Sequence, residues 1–196
     1  MIDFELWKNA LLKPSETYKK KGGFSEAVKQ LVIAGLIGGF FTGLGSLIGL
    51  SAGGSYGSLA GLIGPLAFIG SLILTPIVAV IVVLIVSVVL YVMAMILGGK
   101  GKFESQTYYI SVYYAPIIIL TSIFSLIPVA GGILSLLLGL YSLYLLTMAM
   151  KYTHSFTIMK AVLTWLIPCI VIVGLIVLVA GAAFLAIFGG GRLPLY

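Results

Sequence analysis

Gly98-Gly99-Lys100-Gly101-Lys102-Phe103-Glu104-Ser105-Gln106-Thr107 is a small charged island in an apolar chain. Residues 30–99 on one side and 105–150 on the other carry no charge. A helix crosses a bilayer with about 20 apolar residues, so both flanks read as membrane-crossing. The stretch 59–97 is too long for one ordinary span and contains Pro65 and Pro76. Two crossings there would place Lys100 and Lys102 outside, and Lys151 and Lys160 with them. One crossing, at 75–97, leaves all four on the same side as Lys8, Lys13, Lys19, Lys20, Lys21 and Lys29. Cytosolic loops keep Lys and Arg, and translocated loops lack them. One crossing is therefore expected, with 59–72 as a broken helical lead-in.

The remaining spans follow at 31–50, 107–127, 133–150 and 161–188. The loops near 51–58 and 128–132 hold no charge of either sign. The expected fold class is all-α: a polytopic membrane helical bundle with five transmembrane helices, a cytosolic N-terminus over 1–30 and a membrane domain over 31–189. Arg192 then lies outside. Composition agrees, with 61% hydrophobic and 8% charged residues against roughly 25% charged in a soluble domain. The turn at 128–132 makes spans three and four an antiparallel hairpin. Span five would run roughly 42 Å against a hydrocarbon core of roughly 30 Å, so it must tilt or bend, with Pro168 as the expected site. Ser25 is a plausible N-cap for span one, with Glu26 in its first turn. The first apolar run opens after 30 polar and charged residues, too long for the n-region of a signal peptide, and none is expected.

Ahead of span one, residues 2–12 form an amphipathic helix with Phe4, Trp7 and Leu11 on one face, ended or redirected by Pro14. It either lies in the membrane interface or packs on the inner ends of the spans. Glycines recur every fourth residue at Gly35, Gly39 and Gly43, and again at Gly45, Gly49, Gly53, Gly57 and Gly61. Small-xxx-small ridges let helix backbones approach in lipid. The ladder reads first as internal packing, second as a self-association face, third as a glycine-lined conduit. The net charge of +6 is spread along one membrane face, which excludes nucleic acid as a partner and favours the bilayer and its anionic lipids. Lys19, Lys20, Lys21, Lys100, Lys102 and Lys151 are the candidate partner- or lipid-binding residues.

Little in the chain points to catalysis. Asp3, Glu5, Glu16, Glu26 and Glu104 all lie in cytosolic segments, whereas proton- and cation-coupled carriers place an ionisable group within the membrane. The single His154 reads as a loop surface residue beside Lys151. The span serines Ser87, Ser111, Ser122, Ser125, Ser135 and Ser142 have no histidine at their depth to activate them. The run 98–102 resembles a phosphate loop only superficially, because Ala94 and Gly101 stand where Gly and Ser or Thr are required. Cys169 is a lone cysteine in an apolar run, so neither a disulfide framework nor a zinc site is expected. No enzyme activity, cofactor or metal follows. Tyr108, Tyr109, Tyr113 and Tyr114, with Tyr141 and Tyr144, pose the question of where intramembrane phenols find hydrogen bonds. Interhelical bonding answers it. A neutral Ser/Tyr-lined path, as in a small transporter, channel or permease subunit, is the alternative.

Several features occur together in one order. Pro14-Ser15-Glu16-Thr17-Tyr18 precedes span one, with Pro14, Glu16 and Tyr18 forming a P-x-E-x-aromatic element. Gly98-Gly99-Lys100-Gly101 with Phe103 closes span two, and Tyr113-Tyr114-Ala115-Pro116 sits in span three. Lys151-Tyr152-Thr153-His154-Ser155 follows span four, and Pro168 breaks span five. With five spans, the chain resembles the Yip family, the Ypt/Rab-interacting-protein domain, over roughly residues 5–185. The resemblance implies a non-enzymatic five-helix integral membrane protein. Its eukaryotic members reside in Golgi and ER membranes and associate with Rab-type GTPases and with one another in vesicle traffic. This sequence lacks their long N-terminal extension and their Asp-Leu-Tyr-Gly-Pro motif. It looks like a short prokaryotic-type member of the cell membrane, for which a small GTPase partner is not implied. Self-association and a role in organising membrane are.

Overall fold

The computed structural model describes residues 4–18, 22–52, 57–127 and 129–188, and the side chains of all of these except 49–62 and 185–188. The described residues form seven helices and no strand: α1 (Phe4–Leu12), α2 (Pro14–Thr17), α3 (Phe24–Ala52), α4 (Gly57–Ile96), α5 (Phe103–Phe124), α6 (Ala130–His154) and α7 (Ile158–Phe188). Helices α3 to α7 are long and apolar enough to cross a membrane.

The most polar of these five is the one at the centre. Over its membrane-length stretch α5 is 61% buried, against 6% for α7. Gln106, Thr107, Tyr108, Tyr109, Ser111 and Tyr113 all face inward from α5. Lipid supplies no water to hydroxyls and amides, so the helix carrying them is stable only when the other helices surround it. The apolar helices take the outside. On α4 one narrow stripe is buried, Ala79, Val83, Ser87, Leu90 and Ala94, at the three- and four-residue spacing of one helix face.

Helices α3 and α4 approach through the glycines of α3. A Cβ on Gly35 would collide with the backbone of Pro76, and one on Gly39 with the carbonyl of Ser71. At Gly43 a Cβ would lie 2.6 Å from both the Phe68 ring and Ser71 Oγ. Because the backbones are this close, the Ser71 hydroxyl reaches the Gly39 carbonyl on the other helix at 2.8 Å, sharing its proton with Phe68 O at the same distance. Gly38 and Gly45 face α5 instead, toward Ile118 and Leu126. Gly49, Gly57 and Gly61 lie within 49–62, and Gly53 lies outside the described residues.

This packing corrects the expected break at 59–72. Helix α4 runs unbroken through Pro65 and Pro76. Proline removes one backbone donor and crowds the preceding turn, but Pro76 rests against a residue with no side chain, and lipid offers no solvent for the freed carbonyl of a broken helix. At about 1.5 Å per residue α4 is roughly 60 Å long, well beyond a hydrocarbon core of roughly 30 Å. Helix α7 likewise continues through Pro168, the residue at which it leaves the bundle. Ala161 and Thr164 are fully buried, and every residue from 169 to 184 is exposed.

The helix ends carry identifiable caps. Glu26 accepts the Gly23 N–H at 3.2 Å, the carboxylate half of a capping box. The cap of α3 is therefore Gly23 with Glu26, not Ser25. Helix α4 ends in a Schellman motif, with Gly99 N–H on Ala94 O (2.8 Å), Gly98 N–H on Met95 O (3.0 Å) and Gly98 at φ +83°. Ser155 closes α6 in the left-handed region. Between α5 and α6, Gly131 lies so close to the Phe124 carbonyl that no Cβ fits.

Candidate functional site

The end of α4, the start of α5, the end of α6 and the starts of α3 and α7 meet at one end of the bundle. Lys160 Nζ of α7 donates to Leu97 O at the end of α4 (3.2 Å). Gly101 abuts Thr153, and Gly22, just before α3, abuts the Tyr108 ring of α5. Every charged side chain among the described residues belongs to these segments or to α1 and α2. The one ion pair among them is Lys8–Glu5, 3.6 Å apart and well exposed.

A polar chain runs inward from this end. The Gly101 N–H donates to His154 Nδ1 (3.1 Å). Nδ1 is thereby the acceptor, so the ring proton sits on Nε2 and is donated to Gln106 Oε1 (2.9 Å). Gln106 Nε2 donates in turn to the Ser87 carbonyl (2.8 Å). His154 is 2% exposed and Gln106 and Ser87 are fully buried. The expectation of a surface histidine is therefore corrected. Gly99 lets the ring in, since a Cβ there would stand 2.6 Å from Nδ1. Phe156 stacks on the imidazole at 5.4 Å, and Tyr91 lies 6.0 Å from it. The Ser87 hydroxyl, also buried, has no protein partner.

The N-terminal segment packs on the bundle further in from this end, against Ala34, Ala115 and Tyr141, each ten or more positions from it along α3, α5 and α6. Trp7 is buried with Ala34 of α3 and Ala115 of α5, and its indole N–H donates to Gln30 Oε1. The Tyr141 hydroxyl of α6 donates to Leu11 O. The helix thus packs on the bundle, and its buried face is Leu6, Trp7 and Ala10. Phe4, expected on that face, is exposed and meets the Trp7 ring edge-on. The Tyr18 ring stands 5.1 Å from Tyr109 and 6.2 Å from Tyr152, with its hydroxyl 3.5 Å from Leu145 O. Burial pushes its phenol well above the ordinary range.

Of the candidate binding residues, Lys19, Lys20 and Lys21 lie outside the described residues. Lys100 and Lys102 are exposed in the α4–α5 loop, and Lys151 lies over the Tyr152 ring at 5.7 Å. Of the motif positions, Pro14 is buried in the first turn of α2, Glu16 points outward and Tyr18 is buried. Gly98 and Gly99 form the α4 cap. Pro116 is buried in mid-α5, Tyr114 is half-buried on the same helix, and Pro168 is half-buried on α7. Tyr141 and Tyr144, placed inside the bundle by the sequence, are exposed and stack on each other at 5.8 Å.

Sequence reasoning missed Gln106 and Gln30. The signal was available: they are the chain's two glutamines, each at the entry of a span, where an amide without a partner is costly.

Four of the described span serines are satisfied within their own helices. Ser111, Ser122, Ser125 and Ser142 each bond a carbonyl of their own helix. A groove of ≈ 330 Å³ between α4 and α5 is walled mainly by apolar groups, with Thr75, Tyr114 and Thr121 as its hydroxyls. A second pocket, ≈ 220 Å³, opens at the charged end where α4, α6 and α7 meet. Among the described residues no three metal-ligating side chains come together. The family model described as Yip1 domain matches residues 8–181, from within α1 to the far part of α7. No curated protein and no solved structure matches the chain.

Proposed function

The chain belongs to the Yip1 domain family, and from that premise we propose that it is a non-enzymatic membrane protein that organises membrane or assists membrane traffic by binding lipid headgroups or a partner protein at its charged end, which faces the cytosol. The observation that carries this reading is the gathering of the charged side chains of the five long helices and the α4–α5 loop, Glu26, Lys29, Lys100, Lys102, Glu104, Lys151 and Lys160, at the end where α3, α5 and α7 start and α4 and α6 finish. Positive charge is retained on the cytosolic side, and anionic headgroups attract basic residues there by roughly 1 kcal/mol each. The non-enzymatic reading is supported by His154, whose two ring nitrogens are occupied by Gly101 and Gln106. It has no free nitrogen with which to act as a base. The Ser/Tyr-lined transport path has less support, because Ser111, Ser122, Ser125 and Ser142 bond carbonyls of their own helix.

The membrane is the cell membrane in this reading, and Golgi or ER by analogy with eukaryotic relatives. Self-association is compatible with it. A small GTPase is not part of this proposal. Photocrosslinkers at positions 13, 102 and 151 in native membranes test the proposal. They are expected to trap one recurring protein or an anionic lipid, and less of it when Lys19–Lys21 are replaced by Gln. Equal labelling by bulk lipid at all three positions, unchanged by the replacement, would remove the reading.

A further inference from the structure

The ≈ 220 Å³ pocket at the charged end is lined by Gly98, Lys100, His154, Ser155, Thr157 and Lys160, with Phe156 beneath. Two lysines and two exposed hydroxyl residues line it, and no carboxylate residue does. Neither lysine has an acidic partner: the ion pair among the described residues is Lys8–Glu5, far along the sequence. Lys160 is held at the rim by its bond to Leu97 O and by the Phe156 ring, 6.0 Å from its nitrogen. Its direction is therefore set before any ligand arrives. Cations lining one pocket with no counter-charge attract an anion into it.

The rim of the pocket indicates which kind of anion. Ile96, Ile158 and Met159 flank the two lysines and are 70%, 59% and 74% exposed. Apolar side chains this bare, at the ends of membrane-crossing helices, belong against acyl chains. The pocket thus has lysines on its lining beside an exposed apolar strip, matching the two halves of a phospholipid. Resting on the reading of the charged end as a binding face, we infer that this pocket holds the phosphate of an anionic phospholipid. Lys100 and Lys160 neutralise it, Ser155 and Thr157 donate hydroxyl hydrogen bonds, and the tails lie along Ile96, Ile158 and Met159.

Native mass spectrometry of the full chain in neutral detergent tests this, with phosphatidic acid, phosphatidylcholine and inorganic phosphate as separate probes. Phosphatidic acid is expected to be retained in preference to phosphatidylcholine. Lys100→Gln with Lys160→Gln should weaken its retention by about tenfold, the double Arg variant should restore it, and Lys8→Gln with Lys13→Gln should leave it unchanged. Lys100→Gln alone disturbs no protein hydrogen bond and serves if the double variant fails to fold. Unchanged retention in the Gln variants overturns the proposal, and so does inorganic phosphate competing as well as the lipid. If the preference for phosphatidic acid falls only when Lys19–Lys21 are replaced, the pocket is refuted while the charged-end reading stands. If no variant alters it, both fail.

Discussion

His154 shows how a single side chain draws its meaning from residues far away in sequence. Its Nε2–H is satisfied by Gln106, so Gln106→Leu leaves a buried donor without an acceptor. The expected loss is about 1–3 kcal/mol, read as a lower Tm in detergent. A variant as stable as the wild type would mean that the chain from Gly101 to Ser87 contributes nothing. The Gly98 backbone is the second test at this scale. At φ +83° a Cβ meets the following carbonyl, and Gly98→Ala is expected to destabilise by about 1–2 kcal/mol. The sequence disclosed neither role. A lone histidine after an apolar span resembles a solvated loop residue, because nothing local reveals an amide 48 positions away. The repeated glycine of Gly98-Gly99 was visible, but not its division of labour: one residue takes the left-handed conformation and the other makes room for the imidazole.

Helices α3 and α4 carry the argument at the level of elements. Their seam is backbone against backbone at Gly35, Gly39 and Gly43, so Gly39→Val cannot be absorbed by a rotamer change. It is expected to push the helices apart at a cost of about 1–3 kcal/mol and to break the Ser71–Gly39 bond. The same substitution at Gly70, where a Cβ meets nothing within 4 Å, is expected to leave the melting temperature unchanged. The four-residue glycine period was legible. The continuity of α4 was not, because Pro65 and Pro76 carry helix-breaking propensities measured in water, and a long seam in lipid overrides them. The face of α1 was misjudged for a related reason. Periodicity put Phe4 with Trp7, but the buried face runs through Leu6, Trp7 and Ala10, and the Trp7–Gln30 bond that anchors it joins residues no local pattern links.

For the whole molecule, the uncharged flanks of the 98–107 island predicted the number of membrane-length helices, which the structure bears out. A cysteine at position 55 and another at position 103, each in a Cys169→Ser background, are expected to react with an impermeant reagent from opposite sides of the membrane. Labelling from one side would remove the single-crossing topology. The seating of α1 has a mechanical consequence as well. A slice through the bundle at the level of Trp7 cuts α1 in addition to the crossing helices. A slice at the level of Gly43 and Ser71, on the described contacts, cuts crossing helices alone. Set in a bilayer with α1 within one leaflet, the molecule would take more area from that leaflet, by roughly the 10 Å width of a helix times its length. A bilayer crowded with such wedges would relax by curving, convex on the side where α1 lies.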